Sequence, residues 1–546
     1  MKLSFKSRIV SLLAVVALAG TVMVGAPTAA QAAPQCLTAS FVTRCAGVGA
    51  DGAPYSFVAA ANFNGTVFLY SHGVRPPIDI PATLAPVGPY TMTNAAEPGP
   101  LASSGDLSVI NKLVAAGYGV AGSGFSRQGI NTTEALAANK ELIATFKTKF
   151  PTTKNVIAWG ASLGAMHSQM LAEKNPELVD GVILACPAAN PQDALMTYFG
   201  DALWGFKALF DPSIKVGGYS TDPDVRKKEQ HDNVGKILTV LNKLSKEVGS
   251  QTPSTSWPDT ASPAGKALAA AGIPSRSALL VVGLMAGVPT RSKHVDGTSG
   301  PTGLEESYPL AIAPAVGVLE NMGATLNYGT LLIADGELLA GGKVFDNTKT
   351  DYAARVAADA DIYSFALSGN EAVAAIMRAL GATPRETADP AAVAKIPSLV
   401  GLSGKISKPT IIFQSESDEF VPASIVQWYI DTYAEQFAAE KMKAMSEAKK
   451  SRAYAAPTNN LVVLWQKTAS KYSKFKGLSP DLTATQGAGT GHCAFTAAQW
   501  LAAADLMTTT LTNGKFPIGG PIASAARKVG LSFDKEFRVP VFKALE

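Results

Sequence analysis

The stretch 160–164 reads GASLG and holds a serine, Ser162, that could act as a nucleophile. It follows an apolar run, NVIA, and precedes a segment with a helical pattern. A serine on a tight turn between a strand and a helix has its Oγ lifted clear of the sheet, and the helix N-terminus favours developing negative charge. The alternative is a turn of small residues in an alanine-rich chain. The flanking pattern favours the first interpretation, so we predict that Ser162 is the nucleophile.

A serine hydroxyl needs a general base, and the chain offers five histidines. His492 lies in a late glycine-rich loop, GAGTGHCAF, which can bring an imidazole over the C-terminal edge of a sheet. His72 directly follows a predicted strand, and His167 lies one helical turn after the nucleophile and should point away from it. His231 and His294 fall in a helical region, where a solvated surface position is the simplest interpretation. Position therefore favours His492 as the base.

The base needs an acid that orients it, and this acid should follow a strand. The stretch 410–414 has a strand pattern, and Asp418 lies in the turn after it. Glu416 and Glu419 are close enough to be alternatives. We predict that Asp418 holds the imidazole of His492 in the tautomer that accepts the serine proton.

Short apolar runs alternate with helical patterns around these residues, which predicts a parallel sheet covered on both faces. The fold class is therefore α/β, with a mostly parallel, doubly wound sheet. A helix is predicted over 132–150, another over 163–175 and a long one from Ser424. The predicted strands are YSFVAAANF, GTVFLYSHG, GYGVAGSG, NVIAWG, VDGVILACPAA, KPTIIFQ and NNLVVLWQKT.

The alternation breaks between 189 and 405, where mostly helical segments are separated by proline and glycine. We predict a helical cap over 189–405, inserted between core parts 33–188 and 406–546. The cap could cover an apolar substrate pocket, or its helices could pack on themselves without touching substrate. Its apolar side chains suit a pocket wall and an ordinary helix core equally well: Met196, Tyr198, Phe199, Trp204, Phe206 and Phe210.

The first 32 residues predict a secretory signal peptide. Lys2, Lys6 and Arg8 precede an apolar stretch over 9–24, and small residues up to Ala32 suit cleavage there. A retained membrane anchor is the alternative. Without these three basic residues the net charge of +4 falls to about +1. A nearly neutral chain does not suit binding to a phosphate backbone, so we expect no nucleic-acid partner. Because the signal peptide would be removed, we expect a secreted protein without a stable membrane anchor.

The four cysteines predict two disulfides, because an even number is typical of secreted chains. Cys36 and Cys45 are close in sequence and should pair, which leaves Cys186 and Cys493. Two free buried thiols are the alternative for the second pair. A bridge from Cys493 would tether the loop of the predicted base to the strand that ends near Cys186.

The order of serine, aspartate and histidine on this pattern resembles the α/β-hydrolase superfamily. Four segments carry the resemblance: LYSHG at 69–73, GASLG at 160–164, SESDEFVP at 415–422 and GHCAF at 491–495. The resemblance implies an oxyanion hole formed by the backbone N–H groups of Val74 and Leu163, with His72 and Gly73 supporting that segment. The sequence departs from common family patterns at Ala161 and Ser415, which leaves the subfamily open.

The predicted tether of the histidine loop is similar to one in tannases and feruloyl esterases. Those enzymes place one cysteine beside the nucleophile, where this chain has Ala161. The analogy is therefore partial.

These residues predict a secreted serine esterase that works through an acyl-enzyme on a small or polymeric ester. A secreted serine exopeptidase on the same scaffold is the second hypothesis, and a non-catalytic binding protein is the third. Scattered cap acids such as Glu305, Glu306 and Glu320 could hold a substrate amine in an exopeptidase. The sequence contains no HExxH and no dinucleotide or phosphate-loop fingerprint, so we expect neither a metal nor a cofactor.

Overall fold

A computed structural model describes residues 33–188, 194–248, 257–297, 307–364, 366–451, 456–476 and 479–545. The predicted signal peptide lies outside these residues. Within them, nine strands form one sheet and two short strands pair antiparallel in a separate sheet. The strands are β1 Gln35–Ala39, β2 Val42–Val48, β3 Pro54–Ala60, β4 Thr66–Ser71, β5 Gly119–Ser123, β6 Asn155–Ala161, β7 Gly181–Ala185, β8 Thr410–Ser415, β9 Leu461–Gln466, β10 Phe475–Lys476 and β11 Ser479–Pro480.

The main sheet has the order β1-β2-β3-β5-β4-β6-β7-β8-β9. The first three strands pair antiparallel with their neighbours, and β3 is also antiparallel to β5. From β5 to β9 every pairing is parallel, so the carboxyl ends of these strands meet at one edge of the sheet. The prediction of a mostly parallel α/β sheet is confirmed.

Both faces of the sheet are buried. Successive strand residues point to opposite faces, so neighbours on one strand pack into different apolar clusters. On β4, Leu69 packs into one apolar cluster, whereas its neighbours Phe68 and Tyr70 pack into the other. On β6, Ala158 and Trp159 divide between the two clusters in the same way. This burial explains why the central strands read as continuous apolar runs.

The helices outside the predicted cap cover these two faces. Helices α2, α3 and α13 contribute to the cluster that holds Leu69, and α1, α14 and α15 contribute to the cluster that holds Phe68. These helices are α1 Ser108–Ala115, α2 Thr132–Lys149, α3 Leu163–Lys174, α13 Ala423–Ser451, α14 Ala497–Asn513 and α15 Gly519–Lys528.

The described residues between β7 and β8 form helices and no strand, within the range predicted as a cap. The six apolar side chains offered as a pocket wall or a helix core are all buried in the larger cluster, as a helix core requires. The boundaries at 189 and 405 stay predictions, and residue 189 lies outside the described residues. The helices are α4 Ala194–Leu209, α5 Pro223–Val248, α6 Pro263–Ala270, α7 Ser275–Ala286, α8 Ser307–Ala340, α9 Tyr352–Ala360, α10 Asn370–Gly381, α11 Pro390–Val393 and α12 Ile396–Val400.

Among the helices of the described residues, none is both long and apolar enough to cross a membrane.

A buried ionic cluster joins α4 to α9. The carboxylate of Asp201 is fully buried, and it accepts hydrogen bonds of 2.5 Å from Tyr352 Oη and from Arg355 Nη1. Burial raises the pKa of Asp201, and the charge of Arg355 opposes that rise. A buried carboxylate of this kind depends on its partners, because losing one leaves an uncompensated charge in the interior.

We expect Arg355→Met to lower the free energy of unfolding by about 3–5 kcal/mol, because Asp201 would stay buried without its cation. Urea unfolding followed by circular dichroism measures this. The control is Asp232→Ala, which breaks the exposed Lys228–Asp232 pair on α5 and should cost about 1 kcal/mol or less. Equal losses in the two variants would contradict the prediction.

Candidate active site

Ser162 occupies the turn between β6 and α3 in a conformation that few non-glycine residues adopt. Its φ is +56° and its ψ is −123°. Its N–H donates to the carbonyl of Ala185 at 2.9 Å, and its own carbonyl accepts from the N–H of Ala165 at 3.0 Å. Such backbone strain persists only where the surrounding structure enforces it, and it is common at active sites. This is the turn that the GASLG pattern predicts.

The two glycines of GASLG are required by close backbone approaches. A Cβ on Gly164 would lie 2.0 Å from the carbonyl oxygen of Ser71, at the end of β4. A Cβ on Gly160 would lie 2.4 Å from the carbonyl of Gly164. No side chain fits at either position, so the turn packs tightly against the neighbouring strand.

His492 and Asp418 are in direct contact. The Nδ1 atom of His492 lies 2.9 Å from each carboxylate oxygen of Asp418. Asp418 is fully buried, and its Oδ1 also accepts from the N–H groups of Phe420 at 2.9 Å and Val421 at 2.8 Å. These two bonds fix the carboxylate in the turn after β8, where it can hold the histidine ring.

Neither of the two alternative acids is hydrogen-bonded to His492. Glu416 accepts from the N–H and the Oγ1 of Thr468 at 2.8 and 2.9 Å, and it pairs with Arg291 at 3.5 Å. Glu419 is buried and lies 3.5 Å from the Nζ of Lys293. Of the three predicted candidates, Asp418 is the one hydrogen-bonded to His492.

The surroundings of His492 act on its pKa in opposite directions. Burial of the ring lowers the pKa, but the charge and hydrogen bond of Asp418, together with the charge of Glu419, outweigh burial and raise it above the ordinary value. Lys293 opposes this rise. The ring of Phe420 lies 4.8 Å from that of His492, centroid to centroid.

A disulfide brings the histidine loop beside the serine turn. Cys186 directly follows Ala185, which accepts the N–H of Ser162, and its sulfur is bonded to Cys493, the residue after His492. The Nε2 atom of His492 lies 3.5 Å from the sulfur of Cys493. Among the described residues, the Oγ of Ser162 has no hydrogen-bond partner, so the structure shows the Asp–His contact without a Ser–His bond.

The second predicted disulfide joins Cys36 on β1 to Cys45 on β2. The sulfurs of the pair beside His492 are bonded to each other, so they are not free thiolate ligands for a metal.

The segment predicted to form the oxyanion hole lies against the nucleophile. A Cβ on Gly73 would be 3.3 Å from the Cβ of Ser162, which places the start of this segment beside the serine. Val74, a predicted donor, follows directly. Leu163, the other predicted donor, is the first residue of α3, where N–H groups have no acceptor within the helix.

His72 holds this segment from the inside. Its ring is buried, with Nδ1 2.7 Å from the carbonyl of Gly73 and Nε2 3.3 Å from that of Gly124. Burial, with a smaller effect of Arg75, lowers the pKa of His72 to about 4. The ring is neutral at physiological pH, which suits the supporting position predicted for it.

None of the other three histidines is hydrogen-bonded to Asp418. His167 is completely buried, and burial lowers its pKa to about 3. His231 binds the carbonyl of Asp79 at 2.8 Å. His294, interpreted from sequence as a surface residue, instead lies 2.6 Å from the carboxylate of Glu320 and is only 20% exposed.

Sequence reasoning missed the loop that holds Arg291 and Lys293. This loop precedes α8, and it braces both the acid turn and the histidine loop. The carbonyl of Arg291 accepts from Ser417 Oγ at 2.6 Å, and the carbonyl of Lys293 accepts from the N–H of Gly487 at 2.8 Å. No local pattern signals these contacts, because their partners lie more than a hundred residues away.

Comparisons with known proteins add a family match and distant structural similarity. A family model of the alpha/beta hydrolase fold matches residues 117–267. No sequence among curated proteins matches the chain.

Three solved structures illustrate the structural similarity. Feruloyl esterase B from Aspergillus oryzae is 12% identical, over 90% of this chain and 86% of that one, with a TM-score of 0.38. Candida antarctica lipase A in its closed state is 12% identical, over 89% and 82%, with a TM-score of 0.33. The rice cell wall degrading esterase LipA from Xanthomonas oryzae is 11% identical, over 78% and 82%, with a TM-score of 0.30.

The matched segment, 117–267, begins just before β5 and includes the serine turn. The sheet is mostly parallel, and the turn between β6 and α3 has the strained geometry described above. The chain therefore has the α/β-hydrolase fold.

Proposed function

We propose that this chain is a secreted serine hydrolase that cleaves carboxylic esters through an acyl-enzyme on Ser162. The observation that carries the proposal is the contact of His492 with both oxygens of the buried Asp418, on a loop bonded through a disulfide to the strand beside Ser162. Two disulfides suit the oxidising compartment that a secreted protein enters.

In the first step, the Oγ of Ser162 attacks the ester carbonyl carbon and passes its proton to the Nε2 of His492. Asp418 accepts the Nδ1–H of His492 and stabilises the imidazolium that forms. The N–H groups of Val74 and Leu163 bind the oxygen that becomes negative. The carbon–oxygen bond to the alcohol then breaks, and His492 returns its proton to the leaving alkoxide.

In the second step, a water molecule replaces the alcohol and repeats the sequence, which releases the acid and restores Ser162. In both steps the Nε2 of His492 must face the Oγ of Ser162 rather than the sulfur of Cys493. Catalytic hydrogen bonds are often long or misaligned without substrate, so the positions of His492 and Ser162 in the substrate-free protein are compatible with catalysis.

Of the three cap acids considered for binding a substrate amine, the structure describes Glu320, which is already paired. Glu419 has Lys293 as its counter-ion, and Glu320 binds His294 and Ser292. Of the cap acids considered for amine binding, Glu305 and Glu306 lie outside the described residues. Glu320 is therefore occupied, which favours an ester, whereas the Oε2 of Glu419 has no hydrogen-bond partner among the described residues.

We expect Ser162→Ala to abolish labelling by a fluorophosphonate and to lower turnover of short-chain nitrophenyl esters by about 10³-fold or more. The matched control is Ser168→Ala, which changes a buried serine in α3, the helix that follows Ser162, and should keep both labelling and turnover. Labelling of Ser162→Ala would contradict the proposal. Faster turnover of aminoacyl anilides than of esters would favour the exopeptidase, and no labelling or turnover by the wild type would favour a binding protein.

The raised pKa of His492 predicts the pH dependence of turnover. The base must be neutral, so kcat/KM should fall as the pH drops through a pKa above the ordinary 6.5. Because the charge of Glu419 contributes to this rise, Glu419→Gln should move the acid limb to lower pH. Full pH profiles of kcat/KM measure both effects.

The control for this profile is Glu416→Gln. Glu416 is three residues away from Glu419 in sequence, but it is turned towards Thr468 and Arg291. Its substitution should move the acid limb less. Equal shifts in the two variants, or an acid limb below pH 6.5 in the wild type, would contradict the assignment of His492.

We expect loss of the Cys186–Cys493 bridge to lower activity in a protein that stays folded. In Cys186→Ala/Cys493→Ala, kcat should fall by about ten- to a hundredfold with little change in KM, because the imidazole loses its tether. Circular dichroism at the assay temperature checks folding. The control, Cys36→Ala/Cys45→Ala, removes a bridge between β1 and β2 and should leave kcat unchanged. Equal kcat in the two double variants would contradict the tether.

A further inference from the structure

A pocket lies between the sheet and the helices that follow β7. It is formed by segments after β4 and β5 and by one face each of α5 and α8, and its volume is about 420 Å³. Pockets of about 300–1,000 Å³ are the usual size for small-molecule sites. The segments after β4 and β5 place it at the carboxyl edge of the parallel strands, where ligands bind in open α/β sheets.

One side of the pocket is a rigid ionic frame. Asp335 on α8 is buried, and its carboxylate accepts from the N–H of Ile130 at 2.7 Å and pairs with the guanidinium of Arg127. Arg127 also donates to the carbonyl of Ile130 at 2.5 Å. Because Asp335 and Arg127 satisfy each other, they fix the wall and leave the recognition of a ligand to other groups.

Two glutamines of the lining, Gln128 and Gln230, each have a buried amide oxygen without a hydrogen-bond partner among the described residues. Gln128 is 4% exposed, and its Nε2 donates to the carbonyl of Gly124 at 2.8 Å, so its Oε1 is the end left free. Gln230 on α5 is 1% exposed, and its Oε1 has no partner among the described residues. Burying such an acceptor without a hydrogen bond costs free energy, so a ligand that donates a hydrogen bond to either oxygen would be stabilised.

The lining of the pocket also includes a cationic side chain, Arg226. Arg226 lies one helical turn before Gln230 on α5, and its buried Nη1 has no hydrogen-bond partner among the described residues. The lining holds two arginines and one carboxylate, of which Arg127 and Asp335 form a pair. The remaining positive charge belongs to Arg226.

These groups specify the chemistry of a ligand. Arginine binds a carboxylate strongly through charge-assisted hydrogen bonds. An amide oxygen only accepts hydrogen bonds, so the oxygens of Gln128 and Gln230 match the hydroxyl groups of a ligand. Leu338 adds an apolar surface to the lining.

We propose that this pocket binds a small hydroxylated carboxylate of the sugar-acid class, with its carboxylate on Arg226 and its hydroxyl groups on Gln128 and Gln230. Ser162 is not among the residues that line this pocket, but the pocket adjoins the segment that carries Val74, one of the two predicted oxyanion donors. The carbonyl of Gly124 accepts from Gln128 and also lies 3.3 Å from the ring of His72. The site goes beyond ester cleavage and does not depend on it.

The test is calorimetric titration of the whole chain, in its Ser162→Ala form, with D-glucuronate, D-galacturonate and D-gluconate. At least one acid should bind saturably. D-glucose has no carboxylate and acetate has no hydroxyl groups, so both should bind at least about tenfold more weakly. Arg226→Gln should weaken binding of the acid by about tenfold or more. Using the Ser162→Ala background separates this result from the fate of the proposed ester hydrolysis.

The matched control is Lys228→Gln, which removes a positive charge from the exposed face of the same helix. It should leave the affinity within about twofold, since that side chain is 76% exposed. Thermal unfolding confirms that each variant is folded, and Gln230→Met tests the hydroxyl contact independently. Saturable binding that Arg226→Gln weakens and Lys228→Gln does not would support the site. No binding of any of the three acids, or equal affinity in Arg226→Gln and the wild type, would overturn it.

Discussion

The strained turn at Ser162 is the constraint on which the rest of the site depends. With φ at +56°, the serine can sit there only because β4 and β7 hold the backbone on both sides. The closeness of Gly164 to the carbonyl of Ser71 locks α3 against β4, and the bond from the serine N–H to Ala185 locks the turn against β7. The same two strands then lead into Gly73 and Cys186, so one backbone geometry places the oxyanion segment and the anchor of the histidine loop.

The histidine loop and the acid turn behave as one unit. Ser417 donates its N–H to the carbonyl of Gly489 and accepts the N–H of Gly491, both at 2.9 Å, so the turn after β8 pairs directly with the chain before His492. The loop containing Arg291 and Lys293 braces this unit from the other side. The helical region between β7 and β8 therefore supports the base and its acid, in addition to any contact with substrate.

The sequence predicted what is encoded locally. GASLG, the turn with Asp418 and the loop with His492 each combine a short pattern with a neighbouring strand or helix, and the structure places all three at the same edge of the sheet. The pairing of β1 with β2 and the extent of α8 escaped prediction, since stabilisation by a neighbour leaves little trace in local periodicity. His294 was misread for the same reason, because its partner Glu320 lies 26 residues away on α8.

The aromatic side chains of α4 show why a packed core and a substrate wall are not exclusive alternatives. The ring of Phe199 lies 5.4 Å from that of Phe420, which in turn contacts His492. Tyr198 Oη donates to the carbonyl of Glu419 at 2.8 Å, one residue after the acid that orients the base. A helix fixed this way cannot move without disturbing the acid turn. Any selectivity that α4 contributes must therefore come from the shape of a rigid wall.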